Sequence, residues 1–416
     1  MRVEADIGAR MSLAAAAGVT RSRLGNWLDR GRIRRLAALL LGVQLLLFAL
    51  VIAGTHGELG PLEQPVTTDF VSFYAAGRLA DAGTPRLAYD QAAHQAAEEA
   101  ATAPGVEYRF FNYPPVFLVL CAALAYLPYL AAFLLFEVAT LALFLAVACR
   151  IVQDYSPTTL LVLLAFPMVF WTAGLGQNAF LTAGLFGAAT LLMDRRPFVA
   201  GLLFGVLCYK PHFGLLVPIA LVAGGYWRAF AGAAMSVAAL VLVSVALFGL
   251  DTWRDFIATA AGSTAMYQSG RVLFDGFVSA FGAVRLLGGG LYLAYAVQAL
   301  AGVAAAVAVF VTWNRGLSLP VRAAMLASAT LVAVPLALLY DLMLGTIAAA
   351  WLIRADSESH KVALAVLFAT LVPARTISEA WHIPVYPIVT IALFALALRG
   401  AWREMAARNP ETVSAA

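Results

Sequence analysis

The stretch Leu36–Ala53, LAALLLGVQLLLFALVIA, runs eighteen residues without a formal charge. At 1.5 Å per residue a helix of about 20 residues covers the ~30 Å hydrocarbon layer of a membrane. Further charge-free runs follow at Pro114–Phe136, Val138–Cys149, Ser156–Met193, Ala229–Leu250, Leu286–Asn314, Ala323–Tyr340 and Ile383–Leu398. Apolar residues make up 62% of the 416 and charged residues 12%, with a mean hydropathy of +0.86. A soluble domain carries roughly twice that charge. The composition therefore predicts an all-α polytopic membrane protein of ten to thirteen spans, since a backbone in lipid must satisfy its own hydrogen bonds.

Charge asymmetry around the first span sets an orientation. Arg2, Arg10, Arg21, Arg23, Arg30, Arg32, Arg34 and Arg35 precede it, opposed by Glu4, Asp6 and Asp29, whereas residues 54–112 hold eight acids and three arginines. By the positive-inside rule the N-terminus is cytoplasmic and the loop at 54–113 faces outward, in a multi-pass inner (plasma) membrane protein. The chain divides into a basic cytoplasmic segment at 1–35, a membrane domain at 36–399 and a cytoplasmic tail at 400–416. No cleavage site follows the first span, which reads as a retained helix. Cys121, Cys149 and Cys208 lack disulfide or zinc spacing and read as packing residues. The pI near 9.0 reflects arginines at helix ends rather than a nucleic-acid surface. Within Ser156–Met193, Pro167, Gly174 and Gly176 predict a short outer-face helix followed by a span.

The outer loop contains TTDFVSFYAAGRLADAGTPRLAYD, Thr67 to Asp90. Loops of this length usually carry function. Val71–Ala82 has helical spacing and reads as a helix lying along the interface, with Phe70, Phe73 and Tyr74 as members of an aromatic belt. Asp69 stands just ahead of it. Its carboxylate is a candidate for acid/base chemistry, and equally a candidate N-cap for the helix that follows.

Asp69-Phe70, Phe73-Tyr74-Ala75-Ala76-Gly77, Gly83, Tyr89-Asp90 and Tyr113-Pro114-Pro115 occur in that order. Gly176-Gln177-Asn178, the stretch from Ala200-Gly201 to Lys210-Pro211, and Tyr340-Asp341 follow. This series, from about residue 37 to 395, resembles glycosyltransferase family 87. The resemblance implies a C-type glycosyltransferase fold and an inverting enzyme that takes a hexose, mannose first, from a polyprenyl-phosphate donor. It also implies a catalytic base at the start of the first outer loop, which by motif match is Asp69. Tyr74, Tyr113 and Tyr340 fall in its motifs and become candidate sugar or acceptor contacts. The acceptor is expected to be a glycolipid or glycan, with membrane lipids as the other partners.

Such a reaction needs a base for the acceptor hydroxyl and cations for the departing phosphate, but no strong general acid, because phosphate already leaves well. Lys210 interrupts the apolar stretch Phe198–Gly225, and a cation inside a span costs about 2.5–3.5 kcal/mol on insertion scales. With Pro211 it predicts a hairpin of two short helices whose broken tip brings the ammonium either to a lipid phosphate or to the headgroups. Arg271 is a second phosphate candidate, or a solvated loop arginine. His212 reads as a polar neighbour of Lys210 rather than a metal ligand. Asp341 either binds sugar hydroxyls or caps the next helix. Gln177 and Asn178 either face the sugar or join helices to one another. Glu137, deep in an apolar run, has no evident role.

No Asp-x-Asp metal motif, P-loop, Gly-x-Ser-x-Gly or His-Glu-x-x-His occurs, so neither a metal nor a cofactor is expected. Gly201-x-x-x-Gly205 reads as a helix contact. The rival reading is a transporter or flippase of a lipid-linked sugar, which the many spans favour and the lack of internal repeats disfavours.

Overall fold

The structure is a computed structural model and describes residues 29–56, 59–60, 68–268 and 272–408. Most of the basic N-terminal segment, part of the loop at 54–113, Arg271 and the end of the tail lie outside them. In chain order the helices are α1 (Arg30–Ala53), α2 (Phe70–Asp81), α3 (Gln91–Ala101), α4 (Pro115–Ala125), α5 (Tyr129–Val152), α6 (Pro157–Leu164) and α7 (Pro167–Leu175). Then come α8 (Ala179–Leu192), α9 (Pro197–Val206), α10 (Val217–Ala223), α11 (Trp227–Phe248), α12 (Leu250–Gln268) and α13 (Ala280–Leu286). The series closes with α14 (Leu291–Asn314), α15 (Leu319–Ala333), α16 (Met343–Ala355), α17 (Ser357–Leu371), α18 (Ala374–Trp381) and α19 (Val385–Arg408). Among the described residues there is no strand, and the chain is an all-α polytopic membrane protein.

Among the described residues five helices, α1, α5, α11, α14 and α19, are long and apolar enough to cross a membrane, and two bent pairs, each counted as one span, raise the number to seven. This is fewer than the ten to thirteen spans expected. The difference lies in short apolar helices such as α4, α8 and α15, which sit within the bundle. Charge-free length alone cannot separate a helix packed among helices from one that spans lipid. α15 is buried at every residue from Val321 to Ala333, as a helix apolar on all sides must be. α1 has only Ala37 and Gln44 buried. Gln44 donates from Nε2 to the Ala165 carbonyl at 3.1 Å, fastening this otherwise lipid-facing helix to the break after α6.

The stretch 156–193 is not an outer-face helix followed by one span. Pro167 separates α6 from α7, which meet at 56°. Gly176, at φ +69°, then ends α7 and turns the chain into α8. The expected hairpin at Phe198–Gly225 does form: α9 and α10 flank two short 3-10 turns, Leu207–Tyr209 and Pro211–Gly214. α9 packs on α11 at backbone contact. A Cβ on Gly201 would lie 1.9 Å from the Ala229 carbonyl oxygen, and one on Gly232 would lie 2.3 Å from that of Phe198.

The segment between α1 and α4 departs most from expectation. α2 does not lie along an interface: Phe70 through Gly77 are all buried. Phe70 packs among Phe73, Tyr129, Phe133 and Phe136, with ring centroids 5.6–6.2 Å apart. Gly77 brings α2 against α4 so closely that a Cβ would stand 2.2 Å from the Cys121 carbonyl oxygen. The aromatics read as a membrane belt are instead the glue of the bundle. In lipid, helices associate through such close packing rather than through water exclusion.

Candidate active site

Asp69 immediately precedes α2, and its backbone N–H donates to the Leu175 carbonyl at 2.9 Å. The start of α2 is thereby tied to the end of α7. The capping alternative does not hold, since the Asp69 side chain makes no cap hydrogen bond. It turns instead to Gln177, whose Nε2 donates to Asp69 Oδ2 at 2.8 Å. The same amide accepts through Oε1 from the Tyr113 hydroxyl at 3.4 Å and from the Asn178 backbone N–H at 3.3 Å. Protein crowds Asp69 on most sides although it is only partly buried. Desolvation raises its carboxyl above the usual range, against the Gln177 hydrogen bond and the nearby Arg109 and Lys210 charges, which lower it.

Tyr113 is fixed from three directions. Tyr89 donates to its carbonyl at 2.9 Å, Phe73 meets its ring edge-on at 5.2 Å, and Phe117 lies against it at 4.7 Å. Burial pushes its phenol well up, and both Asp341 and Asp69 add to that, so the two carboxylates act on one hydroxyl. Phe117 also stacks on Tyr209 at 5.1 Å, and the Tyr209 hydroxyl pairs with Thr182 Oγ1 at 2.7 Å.

Lys210 follows directly. Its Nζ donates to Asp341 Oδ1 at 2.9 Å in a buried pair, with the Phe213 and Tyr340 rings 5.4 and 5.3 Å away. Asp341 Oδ2 accepts from the Leu338 N–H at 3.0 Å, so Asp341 both caps its turn and holds the lysine. The turn Leu339–Leu342 packs on α7, which brings this pair alongside the Asp69 end of the bundle.

Of the residues singled out in the sequence, Asp69, Tyr113, Gln177, Lys210, Tyr340 and Asp341 gather here. Asn178 is fully buried beside Tyr113, and among the described residues its carboxamide has no hydrogen-bond partner. His212 is exposed, its ring against Phe213 at 4.8 Å. Tyr74 points elsewhere: its hydroxyl donates to the Leu127 carbonyl at 2.9 Å and its ring packs on Tyr129. Arg271 lies outside the described residues. Glu137 is buried, and neither carboxylate oxygen has a hydrogen-bond partner among the described residues.

Arg109 was missed in the sequence. Its backbone N–H donates to Glu98 Oε2 at 3.0 Å and its Nη2 to Glu107 Oε2 at 2.9 Å. Its charge reaches Asp69. The available signal was an arginine four residues before Tyr113, within Tyr108-Arg109-Phe110-Phe111, in a loop otherwise rich in acids. A carboxylate with one oxygen held by an amide, in the field of two cations, is placed to take a proton.

The model of glycosyltransferase family 87 matches residues 110–339, more than half of the chain. The chain belongs to glycosyltransferase family 87. It is accordingly a glycosyltransferase, acting on a sugar donor and an acceptor in a membrane setting. The match includes Tyr113, Gln177, Asn178 and Lys210, while Asp69 lies before it and Asp341 just after it. No curated protein and no solved structure matches the chain.

Proposed function

We propose that this family 87 enzyme is an inverting hexosyltransferase, with mannose the favoured sugar. It moves the sugar from a polyprenyl phosphate to a lipid- or polysaccharide-linked acceptor on the outer face of the inner membrane. Asp69 is the general base. With Oδ2 engaged by Gln177, Oδ1 takes the proton of the acceptor hydroxyl as that oxygen attacks the anomeric carbon. The bond between the anomeric carbon and the phosphate oxygen breaks on the opposite face, and its electron pair leaves with the polyprenyl phosphate.

Arg109 and Lys210 receive that growing charge. Lys210 has given one of its three N–H donors to Asp341, so two remain for phosphate oxygens. Asn178, Tyr113, Tyr340, Asp341 and the exposed His212 offer hydrogen bonds to sugar or acceptor hydroxyls. The observation that carries the reading is the Gln177 hydrogen bond to Asp69 beside the Lys210–Asp341 pair: an oriented base next to a cation with donors to spare.

The test is transfer from a synthetic polyprenyl-phosphate mannose by the full-length protein in detergent. General-base catalysis contributes typically 10²–10⁴-fold, so Asp69→Asn lowers turnover by about that factor while donor retention and melting temperature stay near wild type. Wild-type turnover in this variant removes Asp69 from the mechanism. Movement of the donor across liposomes without transfer replaces the enzyme reading with the flippase.

A further inference from the structure

Three helices run from the Asp69 end of the bundle to a second polar centre. α8 begins after Asn178 and ends before Asp194, about 21 Å further on at 1.5 Å per residue. α16 begins after Asp341 and ends at Ala355, next to Arg354. α5 begins at Tyr129 and carries Arg150 in its last turn. Between their far ends lies a cavity of 540 Å³ whose lining includes Arg150, Gln153, Arg195 and Arg354 together with Leu191 and Trp351.

The charges of this cavity are unevenly spent. Arg354 donates to the terminal carbonyls of α5, Ile151 O at 3.1 Å and Arg150 O at 3.4 Å, and lies 5.3 Å over the Trp351 ring. It serves as a helix cap, where a cation is favoured. Asp194, also on the lining, is committed to Arg322 at 3.2 Å and to the Tyr226 hydroxyl. Arg150 and Arg195 make no ion pair among the described residues. Two guanidiniums thus face a cavity with no carboxylate left for them. Gln153 adds an amide there, from a residue held at φ +61°.

We propose that this cavity binds a phosphate-bearing amphiphile, an anionic phospholipid headgroup, at the end of the bundle opposite the Asp69 cluster. Guanidinium geometry matches phosphate oxygens two at a time. Basic pockets between membrane helices at headgroup depth take anionic lipids by this chemistry. Arg150 sits in the last turn of a spanning helix, the depth at which a headgroup resides, and Leu191, Leu192 and Leu319 supply an apolar wall for the glycerol and upper chain. The site does not depend on the reaction proposed for Asp69.

Native mass spectrometry of the full-length protein, with phosphatidylglycerol and phosphatidylcholine in competition, reads the site directly. Wild type is expected to retain phosphatidylglycerol at least tenfold better. Arg150→Gln with Arg195→Gln is expected to abolish the preference, and Arg196→Gln with Arg228→Gln to keep it. Since Arg150 and Arg195 support no ion pair, an unchanged melting temperature checks that the first variant is folded. No preference in wild type, or equal loss in both double variants, overturns the proposal. Inorganic phosphate raising the melting temperature of lipid-stripped wild type but not of the Arg150/Arg195 variant sustains the phosphate chemistry and assigns it a soluble source.

Discussion

Gln177 reaches Asp69 across 108 positions of sequence, its Nε2 2.8 Å from Asp69 Oδ2. It does so because Gly176, at φ +69°, turns the chain out of α7 at that point. A hydrogen bond to a charged group contributes about 1.5–3 kcal/mol, or about 10- to 150-fold in rate. Gln177→Leu is therefore expected to lower kcat by up to that factor with KM little changed, and to lose no more than a few degrees in melting temperature. Steady-state kinetics alongside a thermal melt check this, and a variant that changes KM alone would transfer Gln177 from positioning the base to binding substrate.

The Lys210–Asp341 pair is buried on both sides. Removing one partner of such a pair typically costs about 3–5 kcal/mol, because the other charge is left uncompensated. Lys210→Met and Asp341→Leu are each expected to lower the melting temperature markedly. The double variant should recover much of the loss but none of the transferase activity. A double-mutant cycle measures both, and additive losses would show that the two side chains stand apart in the folded protein.

Gly77 leaves no room for a methyl group, whose carbon would fall 2.2 Å from a backbone oxygen of α4. Overpacking of this kind costs about 1–3 kcal/mol, occasionally more. Gly77→Ala should destabilise the protein to that extent and push α2, with Asp69 at its head, out of position. Activity is thus expected to fall by more than melting alone explains, whereas Gly42→Ala, where nothing lies within 4 Å, should leave both as they are. Equal behaviour of the two variants would disprove the steric argument.

Span-forming character, the broken hairpin around Pro211 and the turns at Pro167 and Gly176 were legible in the sequence, because proline and glycine act locally. The burial of α2 was not. A short helix rich in aromatics and alanine has the same pattern whether it faces headgroups or other helices, and only the long-range approach of Gly77 to Cys121 decides. Lys210 stood out as a lone cation, but its partner lies 131 positions away. Arg109 escaped notice because in a loop of mixed charge nothing local separates an arginine whose charge reaches a carboxylate such as Asp69 from a solvated one.

His94 and Glu98, one turn apart on α3 and both buried, are expected to give the segment between α1 and α4 its own pH response. Burial raises the Glu98 carboxyl to about 8 from 4.5, so its stabilising effect is full below about pH 4.5 and is lost as pH climbs through 8. Burial lowers His94 to about 4 from 6.5, so its contribution is full above about 6.5 and is lost as pH falls through 4. The melting temperature of wild type should decline between pH 6 and 8.5, and Glu98→Gln should flatten that decline. Coincident slopes for the two proteins would assign the pH response to other groups.

Contact between α9 and α11 is made backbone to backbone, through Gly201, Gly205 and Gly232. Such a joint has no side chains to rearrange and cannot slide without a clash, so the pair moves as one strut. The two 3-10 turns that follow α9 carry Lys210 at the end of that strut. Its ammonium is pinned to Asp341 and set against the Phe213 and Tyr340 rings, so the charge is carried at a fixed height above a base that does not shift.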